Sequence, residues 1–463
     1  MNEPLRHKLF SVYGTILNER ALREAWEKVR RNKGAGGVDR VTIDAFEEDL
    51  EANLQSLLGD LRGRTYKPSP VRRVRIPKKN GKTRPLGIPT IRDRIVQQAL
   101  VTSMSPFFED NVFHPDSCGF RPGMGVQDAL ERVIWNLELG YRYVYDLDIK
   151  GYFDNIPHKR LMGVLSKYVS DGTVLDLIWR SLKAGYMEDG VTYETPSGTM
   201  QGGVISPLIA NIYLNELDWE LDRAGIAFVR YADDVVVMCR DWSELERAVV
   251  VVGETLEELG LELSGEKTHI VDTRGGKFDY LGFTFSGQSW GSYFVEPSEA
   301  SIAKFRSQVK SMTKKTYSKS FEQWAAELNP VIRGKFGYFL AANRAVRTIW
   351  QECRSRGMEF HGRAKRTYDE LDIYVRRRLR VNFANRGRKR HAGQRDADMM
   401  TVKCTNAFFH KDMGLVSGQL MVERLKRPLL TVDEFLAMKR KKKKRKWRND
   451  AKTAAFFKHA YAR

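Results

Sequence analysis

Phe228-Val229-Arg230-Tyr231-Ala232-Asp233-Asp234-Val235-Val236-Val237-Met238 decides how the rest of the chain is read. Two runs rich in β-branched and aromatic residues flank a short polar break, the pattern of a hairpin whose tip carries two adjacent carboxylates. Neighbouring anions at a tight turn repel and resist ionising together unless a divalent cation lies between them. A metal site is one reading; a solvated turn, where Asp is common, is the other. Val235-Val236-Val237 lacks polar alternation, as a strand buried on both faces requires, so the acidic tip projects from a core sheet.

Upstream, Tyr143-Val144-Tyr145-Asp146-Leu147-Asp148-Ile149-Lys150-Gly151-Tyr152-Phe153-Asp154 supplies a partner strand. Val144, Leu147 and Ile149 mark a strand ending at Gly151, with Asp148 near its C-terminal end as third ligand and Asp154 as a helix cap rather than a fourth. The 85-residue separation of Asp148 and Asp233 leaves room for the helices that connect neighbouring strands. Downstream, a helix over 242–259 and a strand over 278–285 follow. Strand, helices, hairpin, helix and strand in that order predict an α+β sheet with helices on one face.

Towards the N-terminus, helical spacing covers 20–31 and 42–58. Between them lies the glycine-rich loop Asn32-Lys33-Gly34-Ala35-Gly36-Gly37-Val38-Asp39. It reads either as an interhelical turn or as a backbone cradle for a phosphate. Alternation over 66–89 with Asn80-Gly81 at its centre gives a two-stranded ribbon lined by Arg72, Arg73, Arg75, Lys78, Lys79, Lys82 and Arg84. Such cations suit a triphosphate or a nucleic-acid backbone, or equally a solvated edge that deters strand pairing. An amphipathic helix over 91–107 follows. Gln201-Gly202-Gly203 leads into a helix that begins at Ser206-Pro207.

Lys plus Arg total 78 against 58 Asp plus Glu, a net +20. Residues 1–300 carry −7 and 301–463 carry +27, so the excess lies in the last third. A polyanion-binding module there is the inference, with nucleic acid favoured over membrane because no amphipathic anchor accompanies the charge. Arg376-Arg377-Arg378, Arg386 to Arg390, and a run at 439–448 with nine basic residues and one Trp concentrate it. Cys118, Cys239, Cys353 and Cys404 form no Cys-x-x-Cys, which argues against a zinc site or disulfide framework. Neither a signal core nor a membrane-length apolar run is found, so a reduced, soluble, cytoplasmic protein of bacterial type is expected.

Five blocks in order, around Asp148, at Gln201-Gly202-Gly203-Val204-Ile205-Ser206-Pro207, at Tyr231-Ala232-Asp233-Asp234, at Gly260-Leu261-Glu262-Leu263-Ser264-Gly265-Glu266-Lys267 and at Tyr280-Leu281-Gly282-Phe283, resemble those of reverse transcriptases. The resemblance is to the group II intron-encoded class and covers about half the chain. It implies a right-hand polymerase with fingers and an antiparallel palm sheet, followed by an α-helical thumb. The expected divisions are an N-terminal helical extension over 1–60, fingers and palm over 61–295, a helical thumb or maturase domain over 296–400, and a basic nucleic-acid-binding region over 401–463.

The resemblance also assigns roles. Polymerisation joins a primer 3′-hydroxyl to an α-phosphate, with two metal ions roughly 3.5–4 Å apart. Asp148, Asp233 and Asp234, with the carbonyl of Ile149, are expected to hold two Mg²⁺, for which Mn²⁺ substitutes. Lys78 and Arg84 match fingertip cations that grip the triphosphate, Gln201 the glutamine lying against the nucleotide, and Phe153 an aromatic gate that excludes a ribose 2′-hydroxyl; its other reading is a core Phe. Lys267 resembles a palm lysine near the triphosphate, or else makes a structural salt bridge. Nucleic-acid contacts are expected from Lys33, Arg333, Arg376, Arg377, Arg378, Lys441, Lys442, Lys443, Lys444 and Arg445. Gly36, Cys118 and Lys335 depart from the class, which usually has Pro, an aromatic and Trp there.

The function this implies is RNA-directed DNA synthesis from dNTPs on an RNA template with a DNA primer, joined to binding of a parent group II intron RNA, its splicing and its movement into a DNA target. No appended Cys/His nuclease module is expected. Two other readings are a maturase acting only as an RNA chaperone and a same-lineage enzyme serving host defence or repair. Oligomeric state is not set by the sequence.

Overall fold

The computed structural model describes residues 8–77, 83–199, 201–287, 293–314, 319–357, 362–364, 368–384, 408–418 and 421. The chain divides into two compact units, 1–273 and 274–463. The first contains, in chain order, strands β1 (Val71–Pro77), β2 (Thr83–Ile88), β3 (Tyr143–Asp148), β4 (Tyr186–Glu188), β5 (Val191–Tyr193), β6 (Ala227–Tyr231), β7 (Asp234–Cys239) and β8 (His269–Asp272). The second contains β9 (Lys277–Tyr280), β10 (Phe283–Gly287), β11 (Tyr293–Pro297) and β12 (Gly362–Ala364). The class is α+β, as expected.

Helix Ile91–Asn111 anchors the first unit. Its first ten residues are buried around most of the circumference, including Asp93 and Gln97, so it is an interior helix rather than the amphipathic one expected. The buried polar groups are satisfied: Tyr66 and Thr90 hydroxyls donate to Asp93 at 2.5 and 2.6 Å, and the Val204 amide donates to Gln97 Oε1 at 2.8 Å. Against it packs helix Glu19–Asn32, capped by the Asn18 side chain and presenting Leu22, Ala25, Trp26 and Val29 on one face.

The acidic hairpin belongs to a sheet of order β6-β7-β3-β8, antiparallel throughout. Val235, Val237 and Cys239 face the main core beside helices Ser206–Arg223 and Trp242–Leu259. Val236 and Met238 point the other way and are buried too, with Asn136 of helix Val126–Glu138 donating to Met238 Sδ at 3.7 Å. Both faces are therefore covered, where helices on one face were expected. Each fully buried Val contributes roughly 1.5–3 kcal/mol, which fixes the register, since a one-residue slip would exchange the faces.

The basic ribbon pairs as predicted, from Arg72 opposite Ile88 to Pro77 opposite Thr83, and its tip lies outside the described residues. It is half of a larger sheet of order β2-β1-β4-β5, with β4 parallel to β1. That sheet engages several of the ribbon cations. Arg73 lies 3.1 Å above the Tyr186 ring, and Arg75 pairs with Glu188 at 2.6 Å.

In the second unit the single strand expected over 278–285 is two strands, β9 and β10, joined by a turn at Leu281 (φ 49°) and Gly282 (φ 71°). These strands share a sheet with β11 and β12, all within the unit 274–463. Phe321–Ser355 is one helix that runs through Pro330. An interior proline costs roughly 3 kcal/mol. Leu328, Ile332, Phe336 and Phe339 continue one buried stripe across it, and burying them at roughly 1.5–3 kcal/mol each outweighs that loss.

Helix Tyr368–Ala384 corrects another expectation. Arg376 is only 4% exposed, with Nη1 3.2 Å from His410 Nε2, and burial pulls its pKa down. It belongs to the interior rather than to a nucleic-acid-facing surface. Arg378 is half-buried and donates to the Thr313 carbonyl and hydroxyl at 2.9 and 3.2 Å, while Arg377 is exposed.

Candidate active site

Tyr231 and Asp234 form the last pair of the β6–β7 hairpin, leaving Ala232 and Asp233 as a two-residue turn. Ala232 sits at φ 61°, the left-handed region that favours glycine. Asp148 is the cross-strand partner of Asp234, so the two carboxylates emerge on the same face of adjacent strands, with Asp233 at the turn beside them. The end of β3 is fixed by the segment after Gly260: Ser264 donates its amide to the Asp148 carbonyl at 2.8 Å, and Ile149 bridges Leu263.

Like charges opposite one another are destabilising, and the ionisation of the acids reflects this. Burial, then Asp233 and Asp148, push Asp234 up to about 6, against the opposing charge of Lys267. Burial likewise raises Asp233, with Arg84 and Arg230 pulling it down and Asp148 pushing it up. Lys267 Nζ stands 3.2 and 3.1 Å from the two Asp148 oxygens, the salt bridge that was one of its two readings. Both partners are well exposed, so the pair is worth roughly 0–1 kcal/mol.

Among the described residues no group of three or more acidic, imidazole or thiol side chains is arranged to hold a metal ion. The donor chemistry nevertheless fits a hard divalent cation: Asp148 and Asp234 stand opposite one another with Asp233 in the adjoining turn, two of the three have raised pKa values, and all offer oxygen ligands. A bound cation would remove the repulsion that Lys267 relieves only in part.

Arg84 reaches the same place from β2. Its Nε donates to Gln201 Oε1 at 2.5 Å, and Gln201 Nε2 lies 3.4 Å from Asp154 Oδ2. The Gly87 amide donates to the Gln201 carbonyl at 2.7 Å, tying β2 to the 201–206 loop. Asp154 lies inside helix Tyr152–Asn155, whose N-cap is Gly151, so it is not the cap expected. Beside these residues opens a cavity of about 280 Å³ lined by Arg73, Tyr186, Thr199 and Gln201. Phe153 is half-buried and meets Phe120 edge-on, ring centres 6.2 Å apart, and Phe120 is 54% exposed at φ 58°.

The glycine-rich loop is a braced turn. Arg72 donates to the carbonyls of Gly36 (2.7 Å) and Gly37 (3.1 Å), and Arg94 to that of Ala35. A Cβ on Gly36 or Gly37 would fall 2.6 Å from neighbouring backbone, so glycine is required by close approach. Lys33 and Arg333 are exposed; Lys78 and Lys441 to Arg445 lie outside the described residues.

Sequence reasoning missed Arg230 and Asp218, which form a fully buried ion pair beneath the turn. The available signal was an arginine inside an otherwise apolar strand. It also missed Gly119 and Phe120, whose loop between Asp116 and Arg121 carried no periodicity to mark it.

A family profile described as "Reverse transcriptase (RNA-dependent DNA polymerase)" matches residues 76–285. Protein YkfC of Escherichia coli strain K12 is 35% identical over 302 residues, covering 56% of this chain and 79% of that protein. The group II intron-encoded protein LtrA of Lactococcus lactis subsp. cremoris is 37% identical over 238 residues, 51% of this chain and 39% of its own length. The retron Mx65 reverse transcriptase of Myxococcus xanthus is 30% identical over 258 residues, 51% of this chain and 57% of that protein. The chain thus spans about two-fifths of LtrA and just over half of the retron enzyme.

Proposed function

Since the chain belongs to the reverse transcriptase (RNA-dependent DNA polymerase) family, we propose that Asp148, Asp233 and Asp234 are its catalytic carboxylates. The observation that carries this is the register of β3 against β7, which sets Asp148 opposite Asp234 beside the Asp233 turn. Those three side chains and the Ile149 carbonyl would hold a pair of divalent ions, Mg²⁺ or its substitute Mn²⁺. When bound, such ions supply the charge that lines up attacking and leaving oxygens in phosphoryl transfer.

The chain's own residues do the rest. Arg84 would offer a guanidinium fork to polyphosphate, and its bond to Gln201 holds the two proposed nucleotide-binding side chains together. Lys78 adds a point charge. The Phe153 ring, met edge-on by Phe120, would serve as the aromatic gate that stacks under a deoxyribose and excludes a 2′-hydroxyl. Lys267 keeps Asp148 oriented before the substrates assemble.

The test is extension of a DNA primer on an RNA template with Mg²⁺ and dNTPs. Full extension by the parent and its loss in Asp233→Ala are expected. Phe153→Ala is expected to incorporate NTPs that the parent rejects. A parent that binds RNA tightly but never extends would refute the assignment.

We propose further that the protein binds a group II intron RNA, assists its splicing and supports its movement into a DNA target, working in the cytoplasm. The intron-encoded relative and the net +27 of residues 301–463 support this. Among the described residues no helix is long and apolar enough to cross a membrane. Filter binding to a group II intron RNA against an unrelated structured RNA of equal length, across salt concentrations, tests it. Equal affinity would overturn it and favour the second reading, a same-lineage reverse transcriptase used in host defence or repair.

A further inference from the structure

The acidic turn rests on a stripe of buried polar side chains. Asn211, Asn215 and Asp218 lie along one face of helix Ser206–Arg223, none more than 3% exposed. Each has a defined partner. Asn211 Nδ2 donates to the Gly119 carbonyl at 2.6 Å, and Asn215 accepts from the His114 amide at 3.0 Å while donating to the Val112 carbonyl at 3.1 Å. Asp218 receives both Nε (2.7 Å) and Nη2 of Arg230.

Arg230 then makes the contact that matters for the turn. Its Nη1 donates at 2.9 Å both to Asn211 Oδ1 and to the carbonyl of Ala232. That carbonyl belongs to the peptide leading into Asp233, and Ala232 holds the left-handed conformation in which this peptide is oriented. From the side, Gly119 closes the space: a Cβ there would stand 2.2 Å from the Ala232 nitrogen. The loop carrying Gly119 is attached to the same strand, since the Cys118 amide donates to the Arg230 carbonyl at 2.7 Å.

We infer that Arg230, oriented by Asp218 and Asn211 and opposed by Gly119, is a positioning residue that fixes the Ala232-Asp233 peptide and thereby sets where the Asp233 carboxylate stands. The inference rests on the catalytic reading of Asp233. A guanidinium suits the task because one planar fork binds the carboxylate with two donors and leaves Nη1 for two carbonyl-type oxygens; an ammonium cannot hold that geometry.

A buried ion pair that serves stability alone can be exchanged for apolar side chains of similar volume at little cost. That provides the discriminating experiment. The full chain carrying Arg230→Met with Asp218→Leu keeps the volume filled but loses the bond to the Ala232 carbonyl. Misplacing a reacting group by about 1 Å costs roughly 100-fold, so kcat for primer extension should fall by that order. The KM for dNTP, the primer–template Kd and the melting temperature should stay near the parent's. Mn²⁺ binding read by electron paramagnetic resonance without nucleotide should weaken about tenfold, one decade being roughly 1.4 kcal/mol. Arg230→Lys should share the kcat loss.

A folded double variant with the parent's kcat and Mn²⁺ affinity would overturn the inference. If that variant fails to fold, Gly119→Ala presses on the same turn from outside the ion pair. A kcat loss with unchanged primer–template binding is expected, and the parent's kcat would again overturn the inference. Asp233→Ala, assayed alongside, separates the two levels: if it retains activity, the catalytic reading itself fails.

Discussion

Asp234→Asn should stabilise this protein while abolishing its chemistry. Asp234 is moved from 3.8 to about 6 in the folded chain, first by burial and then by Asp233 and Asp148. Between those two values the folded state binds a proton that the unfolded state releases, so stability falls as pH rises through that window. Two units correspond to roughly 2–3 kcal/mol of stability that is present below about pH 4 and gone above about pH 6. Asparagine keeps the shape and carries no charge, so the variant should not show that loss. For a unit of this size, a gain of that order raises the melting temperature by about 4–10 °C at pH 7.5. The assay is calorimetric melting of parent and variant in EDTA at pH 5 and pH 7.5, followed by Mg²⁺ addition. Mg²⁺ should raise the parent's melting temperature and leave the variant's nearly unchanged. Equal melting temperatures for parent and variant at pH 7.5, with no response of the parent to Mg²⁺, would refute the view that this acid cluster is held under repulsion.

Three other perturbations separate the parts of the molecule. Arg84→Ala removes the fork that joins β2 to Gln201, and steady-state kinetics should show dNTP KM rising at least tenfold with primer–template affinity unchanged. Arg376→Ala should lower stability by roughly 2–4 kcal/mol through lost packing and an unpaired buried partner, whereas Arg377→Ala should leave melting unchanged and reduce the salt dependence of RNA binding by about one charge. Pro330→Ala, which restores an amide to an interior helical position, should raise the melting temperature of the second unit, gaining up to about 3 kcal/mol.

The acidic site was legible because its chemistry is written in short-range pattern. An apolar run ending in Asp233-Asp234, and an alternating run ending in Asp148, carry both strand and charge signals. β4 and β5 escaped notice because three residues each are too few for a period to register. The Leu281-Gly282 turn is hidden in an apolar run, since leucine gives no hint of a positive φ. At Pro330 the local rule was sound and tertiary burial overrode it. Which of three consecutive arginines turns inward was readable in principle: Leu371, Val375 and Leu379 recur every four residues, and Asp372, Arg376 and Arg380 follow one step behind on the same buried flank. The Arg230 brace was not readable in the same way, because its partners lie 12 and 19 residues earlier on a helix whose facing side only the packed structure reveals.

The end of β3 also sets a timetable for synthesis. Asp148 is anchored by Ser264 and Lys267, the latter 119 residues further along the chain, and its neighbouring strand arrives with Asp234. At roughly 5–20 residues per second, a ribosome that has made Asp148 needs on the order of 6–24 s before the last of those anchors is translated. Asp148 and Asp234 can pair once β7 is made, but the Ser264 and Lys267 contacts to Asp148 come last. The proposed catalytic site is therefore completed only by residues near the C-terminal end of the first unit.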